Sequence, residues 1–500
     1  MNRASAEGVG AHETGPGAVR LGGVIAGIRA RAWTLTVLGV LLVWAGALFL
    51  IVRDRYENYL LARYDLGNMV QAVWSTAHGR PLEMTDGVTG EQVVRLAFHV
   101  DPILAALATL WMLVPSPLTL VAVQVAAVSL GALPLYLLAR RHSGSEHYAA
   151  ILAAVYLAYP WIAWAAADAF HPVSLAIPLF LFCFWFLEAD RLVPFAVCAV
   201  LAATTGELMG LVVASLGVWY ALARSRRRAG AAIAAAGVAW TLVAVYFVVP
   251  AFAGGPSVYY GVFDDVGGSP SGVVRTAFTD PLRILSEMTR SDDLTYLLLL
   301  GAPLAGAFLL APGVAALASV PLLVNLIASR GTTDPHEHYI SGVLPFLFAA
   351  TAVGVARLAP VARLRVAILV LVVSLSATVA VGPWPWTVLG AQNWSPLPTT
   401  PQYIGALDRA VSLVPDDASV SATNRVGSHL SARRYFFSVP VVNRAEWVVI
   451  ESLDTWTPDP VSGTSKPQAV RRTLRHLQRS PEWHKVFDRQ GVLVYRKVER

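Results

Sequence analysis

The sequence predicts a mainly α-helical protein, a polytopic transmembrane bundle that carries a small extracytoplasmic α/β domain at its C-terminal end. Three observations carry that prediction. Of the 500 residues, 56% are hydrophobic and 14% charged, with a mean hydropathy of +0.56, values outside the range of soluble globular chains. Apolar stretches of membrane-spanning length recur through residues 32–382. Residues 383–500 lose that character and alternate short β-like runs with a helical stretch.

The chain divides into a cytoplasmic tail (1–32), a transmembrane helical domain (33–382) and the extracytoplasmic unit (383–500). Arg20, Arg29 and Arg31 precede an apolar run at 34–52, long enough to be an uncleaved first span. A long first outer loop, 53–117, follows, and residues 102–114 within it are apolar but too short to cross, as in an interfacial or re-entrant helix. Further stretches at 118–138, 148–166, 173–189, 192–204, 208–223, 230–250, 294–310, 312–328, 341–358 and 364–382 bring the expected crossings to eleven. With the N-terminus inside, Arg140, Arg141, Arg191, the arginines of 224–228, Arg357, Arg363 and Arg365 all fall on the inner side, as the positive-inside rule requires. Odd parity puts the C-terminal unit outside, with β-like runs at 418–423, 447–452 and 491–496 and a helix near 468–479. The outer connection 254–293 is long enough to be a lid or an unstructured link.

The net charge of +6 is scattered between apolar stretches, so it reads as a topology signal and not as a nucleic-acid surface. Cys183 and Cys198 both lie in apolar segments, which excludes a disulfide framework and a cysteine metal site. No glycine-rich nucleotide motif sits in a strand-turn-helix context.

Ionisable groups are costly in lipid, so acids and histidines beside apolar segments are the candidates for function. Tyr64 to Gly79 has helical periodicity, with Leu66, Met69, Val70, Val73 and Trp74 on one face and Asp65, Asn68, Gln71, Ser75 and His78 on the other. An amphipathic helix on the outer membrane surface satisfies that pattern, with a solvated polar face and Asp65 as N-cap for its plain reading. His99-Val100-Asp101-Pro102 is a second helix start, where Asp101 is again a natural cap. Asp168-Ala169-Phe170-His171-Pro172 fills a short outer turn in which an acid and a histidine three apart can share a proton or a cation. Glu207 stands between Gly206 and Leu208 at the outer junction of two short spans. His336-Glu337-His338-Tyr339 follows Arg330 and Asp334; histidines two apart do not share a helix face, which argues against a zinc site of their own. Parity gathers these groups on one face of the bundle, where acids suit either cation or proton transport or general-base work on a substrate presented from lipid.

Tyr64-Asp65-Leu66-Gly67 with Gln71, Trp74 and Gly79, then His99-x-Asp101-Pro102, Phe170-His171-Pro172 and His338-Tyr339, resemble the domain of unknown function 2079 family of multi-pass membrane proteins, from about Arg53 to the C-terminus. One departure is that Gly206-Glu207-Leu208 stands where the family has Lys-Glu-Asp. That family resembles the glycosyltransferase class C superfamily, whose members use polyprenyl-phosphate-linked sugars. The resemblance implies a plasma-membrane transferase moving a sugar from such a donor to an envelope glycan, lipid or protein on the outer face. It implies Asp65 as the first-loop acid and general base, Asp168 as the second-loop acid for acceptor or metal, and Glu207 as a third catalytic acid. Tyr64, Asn68, Gln71, Trp74, His99, Asp101, His171, Arg330, His338 and Tyr339 would bind substrate; the resemblance fixes no cofactor and leaves room for a divalent ion, Mg or Mn. Lys466, Lys485 and Lys497 all lie in the tail, so arginine or histidine must clamp phosphate, with Arg330 and an arginine of 275–290 as candidates. The competing readings are a transporter or flippase, for which paired broken helices would be expected, and a non-catalytic envelope assembly protein.

Overall fold

The computed structural model describes residues 16–255, 257–329, 331–387, 398–454 and 467–498. All eleven apolar stretches are helical over most of their length, but length separates them. Ala32–Glu57, Pro117–Ser143, Arg227–Ala253 and Pro360–Val381 are long and apolar enough to cross a membrane, and Glu146–Ala158 with Pro160–Ala167 makes a fifth if that pair, bent by 55°, is one span. The bend falls at Pro160, whose ring removes a backbone donor and crowds the preceding turn. Pro172–Glu188, Leu192–Ala203, Met209–Ala223, Pro312–Ile327 and Leu344–Ala356 are shorter apolar helices, so among the described residues four or five helices have the length that each of the eleven expected crossings would need. The stretch at 294–310 is not one continuous helix. Helix Ser291–Gly301 stops, the chain reverses through Ala305 (φ 50°) and Gly306 (φ 66°), and a short turn resumes at Ala307–Leu310. The carbonyls of Leu299 and Leu300, near the end of that helix, accept from Trp161 Nε1 and Tyr159 Oη, both at 2.7 Å, partners of a kind that a dry environment cannot supply.

In the first loop, a single π-helical turn, Arg63–Gly67, leads into helix Asn68–Ala77. A hairpin follows, β1 (Glu83–Thr85) paired antiparallel with β2 (Gln92–Val94), then helix Ile103–Leu113, eleven residues long and too short to cross. The helix at 68–77 departs from expectation. Its polar face is not solvated, since Asn68, Gln71 and Ser75 are as buried as Met69, Val70 and Val73. The reason is that residues 398–498 fold back over it. Gln71 Nε2 donates to Thr85 Oγ1 (3.0 Å) and to the carbonyls of Arg433 (3.1 Å) and Arg434 (2.9 Å).

Within 398–454 and 467–498 lies a five-stranded mixed sheet of β3 (Val420–Ala422), β4 (Phe436–Ser438), β5 (Trp447–Glu451), β6 (Trp483–Arg489) and β7 (Val492–Lys497), in the order β4-β3-β5-β7-β6. β3 runs parallel to β4 and β5, and β7 antiparallel to β5 and β6. Side chains alternate between faces, as strands require. Val449, Val492 and Val494 pack under helix Pro401–Ser412, while Val448, Ile450, Leu493 and Tyr495 pack under helix Pro467–Arg479. The expected runs correspond to β3, β5 and β7; β4 and β6 had no distinct signal.

Candidate functional site

The π-turn at Arg63–Gly67 fixes the direction of Asp65. Arg63 is fully buried, donating to the carbonyls of Thr85 (3.0 Å) and Phe436 (2.8 Å) and to Ser438 Oγ, so the turn is pinned beneath the sheet while Asp65, two residues on, reaches outward with its side chain 48% exposed. Asp65 caps no helix, since the side chain bonds no backbone donor there. Its Oδ1 lies 3.5 Å from His171 Nε2.

His171 is held by the turn that ends helix Pro160–Ala167. Gln124 brackets that turn, donating to the carbonyls of Asp168 (3.0 Å) and Ala169 (3.3 Å) and accepting from His171 N (2.8 Å). His171 Nδ1 is 2.8 Å from the Ala169 carbonyl and 3.5 Å from Asp168 Oδ2, and the imidazole of His338 stacks on it at 3.9 Å. Burial alone would lower the His171 pKa, but Asp65 and Asp168 outweigh it and raise it, favouring the imidazolium. Burial raises Asp168 despite the attraction of His171. Glu337 is lifted to about 7 by burial and by repulsion from Asp168 and Asp65. Burial and the neighbouring His171 push His338 well below its ordinary value.

A cavity of about 470 Å³ opens beside this cluster. Tyr64, Asp65, Asn68, His99, Asp101, His171, Glu207, His338 and Tyr339 line it. Met209, Val212, Val320, Pro321 and Val324 add apolar surface to its lining. Glu207 accepts from Val100 N (3.1 Å) and pairs with His99 Nδ1 (3.3 Å); burial would raise its carboxyl, but His99 and the Val100 amide hold it down to about 2. Asp101 is no helix cap either. Arg95 grips its carboxylate through Nε (3.1 Å) and Nη2 (2.9 Å), both groups buried.

Other expected residues lie elsewhere. Asp168 stands behind His171 and does not line the cavity. Gln71 is buried under the sheet, and Trp74 stacks on His78 at 4.2 Å. Arg330 lies outside the described residues. Arg290 is committed to Asp293 and to the carbonyls of Leu326 and Ala328, while Arg275 and Arg283 are exposed on helices away from the cavity wall. Among the described residues, the arginine that lines the cavity is Arg95. The sequence does not single it out, nor Thr205 and Asn325, because isolated polar residues inside loops and spans carry no periodic signal; the Arg95 to Asp101 spacing was the available hint.

Asp168, His171 and His338 offer ligand atoms that all lie within 4.8 Å of one another. Two imidazoles and one carboxylate suit a borderline ion such as zinc better than magnesium or manganese, which prefer oxygen ligands. The two rings are stacked at an interplanar angle of 17°, so their in-plane lone pairs run side by side and ligation by both requires one ring to turn.

No curated protein matches the sequence. Solved structures do match in fold. The crystal structure of ArnT from Cupriavidus metallidurans bound to undecaprenyl phosphate superimposes with a TM-score of 0.51 at 14% identity, over 94% of this chain and 98% of that one. The apo state of ArnT from the same organism gives 0.52 at 15% identity, with the same coverage. At 14–15% identity the likeness is one of fold. The family model described as "Predicted membrane protein (DUF2079)" matches residues 55–494, and the chain belongs to that family.

Proposed function

We propose that the protein is an integral membrane glycosyltransferase-like protein that moves a sugar from a polyprenyl-phosphate donor to a cell-envelope acceptor. In this reading the cavity faces the outside of the plasma membrane. The observation that supports it best is the pairing of a half-exposed carboxylate, Asp65, with a buried imidazole 3.5 Å away in a cavity whose lining is partly apolar. Sugar transfer with inversion needs a base that takes the acceptor proton while positive charge develops at the sugar carbon. Asp65 is that base, and His171, itself backed by Asp168, orients its carboxylate. Arg95 is the cation nearest to hand for the leaving phosphate and His99 a second polar group beside it, with Asp101 and Glu207 fixing their positions. The ArnT fold, seen with undecaprenyl phosphate in one case, adds a chemical class for the donor. Were a divalent ion held by Asp168, His171 and His338, with His171 deprotonated and one ring turned, it would supply positive charge beside the cavity.

Sugar transfer from labelled polyprenyl-phosphate sugars to envelope extract, measured on protein reconstituted in lipid, tests this. Asp65→Asn should cost about 10²- to 10⁴-fold in rate, the usual worth of a general base, with donor binding kept. Equal turnover in both proteins removes Asp65 from the chemistry. Donor binding without turnover in either points instead to transport or assembly.

A further inference from the structure

The connection between helices Arg227–Ala253 and Ser291–Gly301 contains two short helices, Pro270–Thr279 and Pro281–Glu287, with no buried residue in either. Their outward side chains are large and apolar. Val274 is 57% exposed, Phe278 85%, Leu282 74% and Leu285 54%. Val274 and Phe278 are four apart and Leu282 and Leu285 three apart, so each pair lies on one helix face, while Arg275 and Arg283 are exposed beside them. A water-facing surface does not tolerate four such groups on neighbouring turns without a cover.

The chain on either side indicates what the cover is. Helix Arg227–Ala253 exposes Leu242, Phe247 and Phe252 as it ends, and helix Ser291–Gly301 exposes Leu294 and Leu298 as it begins. In a membrane protein these stripes face lipid, and the hairpin continues the same apolar surface between them. The same connection reaches the cavity first, where Val262 and Phe263 form part of the wall and the Val262 carbonyl accepts from Ser329 N and Oγ, both at 2.8 Å.

We propose that residues 270–287 form an interfacial helical hairpin that inserts Val274, Phe278, Leu282 and Leu285 into the lipid leaflet on the cavity side, with Arg275 and Arg283 at the level of the headgroup phosphates. An apolar face edged by arginines is the pattern of helices that lie in the plane of a membrane interface, and long cationic side chains reach from such a face to the phosphates. The hairpin is a lipid contact of the molecule whatever reaction the cavity performs.

The test places a thiol-reactive fluorophore at Phe278→Cys, Leu282→Cys or Arg475→Cys, in full-length protein carrying Cys198→Ala, reconstituted in nanodiscs. Arg475 is exposed on helix Pro467–Arg479 and serves as the aqueous reference. Nitroxide-labelled phospholipid should quench labels at 278 and 282 several-fold more strongly than at 475, and aqueous iodide should show the reverse order. Lipid quenching at 278 and 282 that does not exceed that at 475 overturns the proposal. Since the labelled positions are surface side chains away from the cavity, folding of each variant is checked by its thermal midpoint before the measurement.

Discussion

Arg63 and Asp65 lie two residues apart and do opposite work. Arg63 is sealed under the sheet by acceptors 22 and 373 residues away in sequence, while Asp65 is aimed at the cavity. Replacing Arg63 with Met strips a donor fork from two buried carbonyls, and unsatisfied buried acceptors cost on the order of 1–3 kcal/mol each. Arg63→Met is therefore expected to lower the thermal midpoint in detergent clearly and to reduce any Asp65-dependent turnover with it; an unchanged midpoint shows that the seam does not depend on this residue. Lys at the same position should recover only part of the loss, because an ammonium cannot reproduce the planar fork. Asp65 was legible in the sequence because it begins a periodic segment. Arg63 was not, since a single arginine in an outer loop reads as surface unless its distant partners are known. The capping readings of Asp65 and Asp101 failed for the same reason. A cap is a local bond, and these carboxylates are instead engaged by His171 and Arg95.

At the level of elements, the tightest packing joins helices Met209–Ala223 and Arg227–Val243. Gly210 and Gly217 on one face Gly237 and Gly230 on the other, and a methyl group built at Gly217 runs into the backbone of Ala234, one at Gly237 into the Gly210 carbonyl. Small residues at such contacts let backbones approach closely, which is how helices associate where water supplies no driving force. Gly217→Leu is expected to separate the pair and to destabilise the protein by at least the 1–3 kcal/mol typical of overpacking, whereas Gly39→Ala, with nothing near its added carbon, should leave the thermal midpoint almost unchanged. Similar midpoints for the two variants would remove the close approach as a source of stability. The signal was in the sequence, because both helices repeat glycine at a spacing of seven, Gly210 to Gly217 and Gly230 to Gly237. The bend at Pro160 was equally readable from its proline. The break at Ala305 and Gly306 was harder, since an apolar run gives the same hydropathy whether it continues or turns back.

For the whole molecule, the question is what seats the sheet on the bundle. The two faces of the sheet were partly legible, because β3, β5 and β7 alternate cleanly. The seat was not, because it is built from polar contacts between segments hundreds of residues apart. Arg425 donates to the carbonyls of Asn58 and Tyr59 (both 3.1 Å) and pairs with buried Glu451. His429 is enclosed between the rings of Tyr56 and Tyr59, at 4.1 and 3.9 Å, with Nε2 2.9 Å from the Tyr56 carbonyl. A neutral imidazole donating from Nε2 fits that position, and an added charge there would be poorly hydrated. Loss of hydration lowers its pKa from 6.5 to about 4, against the weaker pull of the Tyr56 carbonyl and Asp408. Between those values an undocked or unfolded chain binds the proton that the seated one refuses, so stability rises with pH across that window. The contribution is complete above 6.5, is lost progressively as pH falls toward 4 and changes no further below it. Hydrogen exchange of the amides at 56–61 should therefore be slow and steady above pH 6.5, once corrected for intrinsic rates, and should quicken as the pH falls to 4. His429→Gln keeps an amide donor for the Tyr56 carbonyl but cannot titrate, so its exchange should stay flat over the same range. If wild type and His429→Gln lose protection in parallel, the pH response of the seat belongs to another group.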